Sequence, residues 1–309
     1  MCGIAGVIHR DGLTDVGSEM TSMLQSMKHR GPDSSGFALF RPPTELIVIR
    51  LKLADPRDGR DLDFQERLEH RRRGIADRLQ KVGAIIESVE SETDYALRIL
   101  IQYEGDLKTL ADQLEAVWGC EVLSIGYALE IVKDLGDAAE VSGQYNLRGF
   151  RGTHAIGHVR MATESDVDIS GAHPYWAYPY SDIAVVHNGQ LTNYFHWKRR
   201  LERDGARFMS ECDSEIIAVY LAHKMADGRT LKTAMEESLE DLDGVFTYMV
   251  VTKDSLGVAK DEMAAKPLVL YESDNQVVMA SEEVAIRSIV DREIETYDPY
   301  ESQVLVWSL

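Results

Sequence analysis

Hydrophobic and polar positions recur along the chain with enough regularity to predict most of its elements. Residues 4–8 form a short apolar run of strand type. Met20, Met23, Leu24 and Met27 share one helical face and predict a helix over about 18–27. HRGPDSSG (29–36) is dense in turn-forming residues and reads as an ordered loop, followed by strands at 37–40 and 46–51. After the polar break DPRDGRD (55–61), an Arg- and Glu-rich helical pattern covers 62–80 and strands are predicted at 83–90 and 95–103. An amphipathic helix follows at 106–118, with Asp106 as its cap, and another strand begins at 120. Together with strand 46–51 this gives the order β-α-β-β-α-β, the ferredoxin-like arrangement. From about residue 149 the pattern changes again. Strands are predicted at 157–163 and 183–189, helices near 192–204, 213–226 and 230–241, and strands at 246–252, 256–260, 267–272 and 276–281. Several strands combined with several helices predict a layered α+β fold.

Composition narrows the class. The 309 residues are 44% hydrophobic and 28% charged, which suits one or two globular domains. No apolar run approaches the ~18 residues of a membrane span, and MCGIAGVIHRDG is not expected to be a signal peptide. A formal net charge of −19 argues against nucleic acid or an anionic membrane surface as partner. The three cysteines, Cys2, Cys120 and Cys212, form no CxxC pair. They imply neither a disulfide framework nor an iron–sulfur ligand set on this chain, and they fit a cytoplasmic setting. No metal site is expected.

Cys2 carries the first chemical possibility. Aminopeptidases remove Met1 when the next residue is small, which would leave a thiol beside a free α-amine. The two groups have similar proton affinities, so the amine could serve as base for the thiol. On position alone, Cys2 reads better as a small residue entering a strand, and Asn188-Gly189 reads better as a plain β-turn.

A series of motifs changes that balance. MCGIAG at the start, HRGPDSSG (29–36), GHVRMAT (157–163), AHPY (172–175), HNG (187–189), CDSE (212–215), DGVFTYMVV (243–251), KDEMAAKPL (260–268) and ASE (280–282) occur in this order. The chain thereby resembles the class II glutamine amidotransferases, a family of N-terminal-nucleophile hydrolases. The resemblance implies a four-layer αββα sandwich formed by residues 1–54 and 149–309, interrupted by an inserted small α/β module at 55–148 with a docking or regulatory role. It implies glutamine as substrate and Cys2 as the nucleophile that forms a γ-glutamyl thioester. Asn188 (side-chain amide) and Gly189 (backbone N–H) would form the oxyanion hole. Arg160 would grip the substrate carboxylate, helped by Thr163, and Asp213 would pair with the substrate α-amine. Arg30 would brace the chain around Cys2, with His29 and Asp33 as loop scaffolding and His173 and His187 as structural histidines. Two positions depart from the family pattern: Met161 stands where Trp is common, and Glu164 where His is common. The stretch 161–182 is expected to cover the pocket.

Within the family, residues 149–194 look most like the stand-alone amidotransferase subunits of glutamate-synthase-like complexes, N-methylglutamate synthase among them. That implies a hetero-oligomer in which FMN and an iron–sulfur cluster sit on a separate synthase subunit, while this chain carries no cofactor. A free-standing glutaminase or amidase of the same fold, and a non-catalytic binding subunit, are the competing expectations.

Overall fold

The computed structural model describes residues 2–161 and 168–309. Thr163, with Glu164, lies outside the described residues. Two antiparallel sheets form the body. The six-stranded sheet runs, in spatial order, Val269–Glu272, Gln276–Ala280, Gly3–His9, His154–Arg160, Ser34–Phe40 and Leu129–Leu135. The five-stranded sheet runs Tyr175–Trp176, Ala184–Leu191, Gly244–Val251, Ser255–Lys260 and Val304–Ser308.

Burial explains why the first strand reads as a continuous apolar run. Every residue of Gly3–His9 is buried, because helix Val16–Ser26 packs on one face and the second sheet on the other. A strand covered on both faces has no solvent side to fill with polar residues. The helix starts where Asp15 accepts the Ser18 N–H at 2.9 Å, and it turns Met20, Met23 and Leu24 to the sheet. Gly6 keeps the sheets close, since a β-carbon there would lie 3.1 Å from Met249 Sδ. On the far side, helices Asp213–Ala226 and Leu231–Asp241 pack on the five-stranded sheet.

A third sheet holds Ile85–Thr93, Ala96–Gln102, Ile47–Lys52 and Glu121–Gly126 in that spatial order, all antiparallel. Helices Phe64–Lys81 and Leu107–Glu115 pack on each other, and Asp106 caps the second by accepting the Thr109 N–H at 2.8 Å. Sheet membership does not follow the expected limits of 55 and 148. Strand Ile47–Lys52 belongs to this third sheet. Strand Leu129–Leu135 leaves it and becomes the edge of the six-stranded sheet, and helix Ala138–Gln144 packs on Val16–Ser26. The turn between the two sheets is organised from a distance. The Asp182 carboxylate accepts the N–H groups of Tyr127, Ala128 and Leu129 at 3.1, 2.8 and 2.9 Å. Hydrophobic periodicity marks strands but does not say which sheet they join, so the crossover was invisible in the pattern.

The third sheet is not separate from the body. Ile49, Ile99, Ile125 and Leu110 lie in one apolar cluster with Ile4, Phe40 and Ile131. At the same seam, Glu130 is completely buried and paired with Arg50 at 2.7 Å, Arg98 at 2.8 Å and Arg41. Among the described residues, no helix is long and apolar enough to cross a membrane.

Candidate active site

Cys2 precedes the central strand Gly3–His9, and its surroundings come from three distant segments. Its main-chain carbonyl accepts hydrogen bonds from Asn188 Nδ2 at 3.1 Å and from Arg30 Nε at 3.0 Å. Its Sγ lies 3.8 Å from the carbonyl oxygen of Met161, the residue after Arg160. Cys2 therefore bridges the two strands, its thiol at the end of the Arg160 strand and its carbonyl on the Asn188 strand.

Arg30 is held from behind. Its Nη1 pairs with Glu282 Oε1 at 2.6 Å, and His29 Nε2 reaches the same carboxylate at 3.1 Å. Glu282 received no role from sequence reasoning, although the ASE motif that contains it was visible. Ser281 of the same motif ties down the strand that follows Cys2, exchanging hydrogen bonds with Ile4 at 3.0 and 2.9 Å. The Gly31 of HRGPD passes over the Arg160 backbone so closely that a β-carbon would lie 2.5 Å from Arg160 N. The neighbouring Asp33 N–H donates to Arg160 O at 3.1 Å. This loop thus fixes the end of the strand that presents Arg160, whose side chain is buried.

Asn188 and Gly189 are not a turn. They lie inside strand Ala184–Leu191, paired with Thr247 and Phe246. Gly189 has φ +146°, and a β-carbon there would lie 2.1 Å from Val245 O, so glycine is required by both conformation and space. Asp213 opens helix Asp213–Ala226, where the helix N-terminus favours a carboxylate. Its Oδ2 accepts the Leu191 N–H at 2.7 Å, which links it to the end of the Asn188 strand. The rest of CDSE is structural. Ser214 Oγ lies 2.7 Å from His187 Nδ1, and the buried Glu215 accepts the N–H groups of Met209 and Ser210 at 2.7 and 2.8 Å.

Beneath these residues lies a layer of three buried histidines. The His158 and His173 rings stand 4.1 Å apart, and His173 Nδ1 accepts the His187 N–H at 3.3 Å. Burial, reinforced by the neighbouring His187 and Arg160, pushes His158 down to about 3. Burial likewise lowers His173 and His187. All three are neutral at pH 7, and their lowered proton affinity makes them weak bases. Burial pushes the Cys120 thiol up to about 12. Burial and the adjacent Asp213 also raise Cys212. Neither of these cysteines is set up as a nucleophile.

Comparison with known proteins finds glutamine amidotransferases. A glutamine amidotransferase domain matches residues 158–288. The chain is 39% identical to a putative glutamine amidotransferase of Methanothermobacter thermautotrophicus, over 98% of this chain and 99% of that protein. It is 34% identical to a glutamine amidotransferase-like protein of Rhizobium meliloti, over 99% of this chain and 98% of the relative. Among solved structures it resembles glutamine phosphoribosylpyrophosphate amidotransferase from B. subtilis, with a TM-score of 0.61 at 19% identity over 99% of this chain. At that identity the likeness is one of fold. This chain spans about half of that enzyme, 47% of its length.

Proposed function

This chain belongs to the class II glutamine amidotransferases, and we propose that it hydrolyses the side-chain amide of glutamine with Cys2 as nucleophile. The observation that carries this reading is the placement of Cys2. Its carbonyl is held by Asn188 and its thiol lies against the residue that follows Arg160. With Met1 removed, the Cys2 α-amine takes the thiol proton and the sulfur attacks the amide carbon. The carbonyl oxygen then carries a negative charge, which the Asn188 Nδ2–H and the Gly189 N–H would receive. The C–N bond breaks as the ammonium returns its proton, and ammonia leaves. Water then hydrolyses the γ-glutamyl thioester, giving glutamate and restoring the thiol. The planar guanidinium of Arg160 suits a bidentate grip on the substrate carboxylate. Asp213 would balance the substrate ammonium, and Thr163 would assist Arg160.

The succession helix, sheet, sheet, helix supports reading the body as a four-layer αββα sandwich. The third sheet with its two helices supports an inserted module of ferredoxin-like order. We further propose that the ammonia passes to a separate synthase subunit bearing FMN and an iron–sulfur cluster, as in N-methylglutamate synthase, within a cytoplasmic hetero-oligomer. Two relatives covered almost end to end support a glutaminase carried on a chain of this size. Ammonia release from glutamine, measured with and without a co-purified FMN subunit, tests both steps. Release that the partner accelerates is expected. Equal rates in both would favour a free-standing glutaminase, and no release would leave a non-catalytic binding subunit.

A further inference from the structure

Lys52 and Glu121 face each other on adjacent strands of the third sheet. Lys52 Nζ lies 2.6 Å from Glu121 Oε2 and 3.0 Å from Ser170 Oγ, and Ser170 Oγ in turn donates to Glu121 Oε2 at 2.9 Å. From the edge of the six-stranded sheet, Lys133 Nζ approaches Glu121 Oε1 at 3.6 Å and donates to the carbonyl of Ala172 at 3.0 Å. The three charged side chains are at most 14% exposed. Between the two anchor points lies Gly171. Its N–H donates to Asp168 Oδ1 at 2.6 Å, and a β-carbon on it would lie 2.8 Å from Arg160 Nη2.

Burying one carboxylate between two ammonium groups carries a large desolvation cost, and an apolar trio of similar size would fill the space more cheaply. What the charges supply is fixed geometry. Each end of the 170–172 segment is tied to a different sheet, and its middle is pressed against the Arg160 guanidinium. We infer that Lys52, Glu121 and Lys133 are positioning residues for the substrate-carboxylate subsite, acting through Ser170 and Gly171 on Arg160. This rests on the proposed role of Arg160. It gives the third sheet a part in glutamine binding, apart from any partner it docks. Burial raises the proton affinity of Glu121, but Lys133 and Lys52 outweigh it and hold the carboxyl below its ordinary value, while burial lowers the Lys133 ammonium, opposed by Glu121.

The test is steady-state ammonia release from glutamine by the full chain and its variants. Ser170→Ala removes the anchoring hydroxyl without changing charge, and Ser170→Thr keeps a hydroxyl. Ser170→Ala and Glu121→Gln are expected to raise KM about tenfold with kcat within about twofold, because misplacement of a substrate clamp weakens binding steeply. Ser170→Thr should restore most of the affinity. Unchanged KM in both variants would overturn the inference, including where the melting temperature falls, since that marks a purely structural role. A lower KM in Glu121→Gln would also overturn it, because the trio would then act through net positive charge instead of position. The reading on which it rests fails separately: absence of glutamine hydrolysis by the wild type, or an unchanged KM in Arg160→Lys, would remove the subsite and this inference with it.

Discussion

Asn188 Nδ2 donates to the main-chain carbonyl of Cys2 across 3.1 Å, joining a strand of the five-stranded sheet to the residue that precedes a central strand of the other. An oxyanion donor works only if it is in place before charge develops. In the proposed mechanism the packing of the Asn188 and Cys2 ends of the two sheets would provide this. Asn188→Ala should lower kcat for glutamine hydrolysis by about 10²–10³ with a small change in KM, the usual loss for one donor. An unchanged kcat would show that Asn188 only braces Cys2.

Arg160→Lys keeps the charge but loses the planar fork. Its KM for glutamine should rise by about tenfold or more, with kcat changed much less. Initial-rate kinetics over a range of glutamine concentrations decide this. Wild-type kinetics would place the substrate carboxylate elsewhere.

Gly189→Ala sets a β-carbon 2.1 Å from Val245 O at a φ of +146°. Loss of about 2 kcal/mol or more is expected, from strain and displacement of the neighbouring strand. Urea unfolding monitored by circular dichroism would show it. A variant as stable as wild type would mean that the strand relaxes freely there.

The sheet seam predicts a pH signature. Burial would push the Glu130 carboxyl up, but Arg50, Arg98 and Arg41 outweigh it and hold it below its ordinary value. A carboxylate lowered in the folded state adds stability above its unfolded value of about 4.3, and that stability is lost as pH falls through the lower folded value. Glu130→Gln removes the buried carboxylate that three arginines share, although Arg50 keeps Glu92 and Arg98 keeps Glu90, and should cost about 3 kcal/mol at pH 7. The gap to wild type should narrow steadily below about pH 4. A gap independent of pH would mean that the carboxylate charge is not what holds the seam.

Much of this architecture was legible in the residues. Helix Asp213–Ala226, the Asp106 cap and the order of strands around 47–126 follow from periodicity and turn chemistry. Cys2, Arg30 and Asn188 lie together, although 186 residues separate Cys2 from Asn188. What periodicity could not show is which sheet a strand joins. Leu129–Leu135 has the same alternation in either sheet, and its placement depends on Asp182, a residue more than 50 positions away. The C-terminal strand Val304–Ser308, the edge of the five-stranded sheet, was missed although its first four residues are apolar. The Lys52–Glu121–Lys133 trio was hidden for a related reason. A buried ion pair between distant strands looks, in sequence, like three ordinary surface charges.

The most direct test of the central claim is to treat the protein with a chloroketone analogue of glutamine and to locate the label by peptide mass spectrometry. The account predicts a single adduct on the sulfur of Cys2, in a chain whose Met1 has been removed, with loss of glutamine hydrolysis and protection by glutamine. Labelling of Cys212 or Cys120 in place of Cys2, or full hydrolysis by a chain that retains Met1, would contradict it.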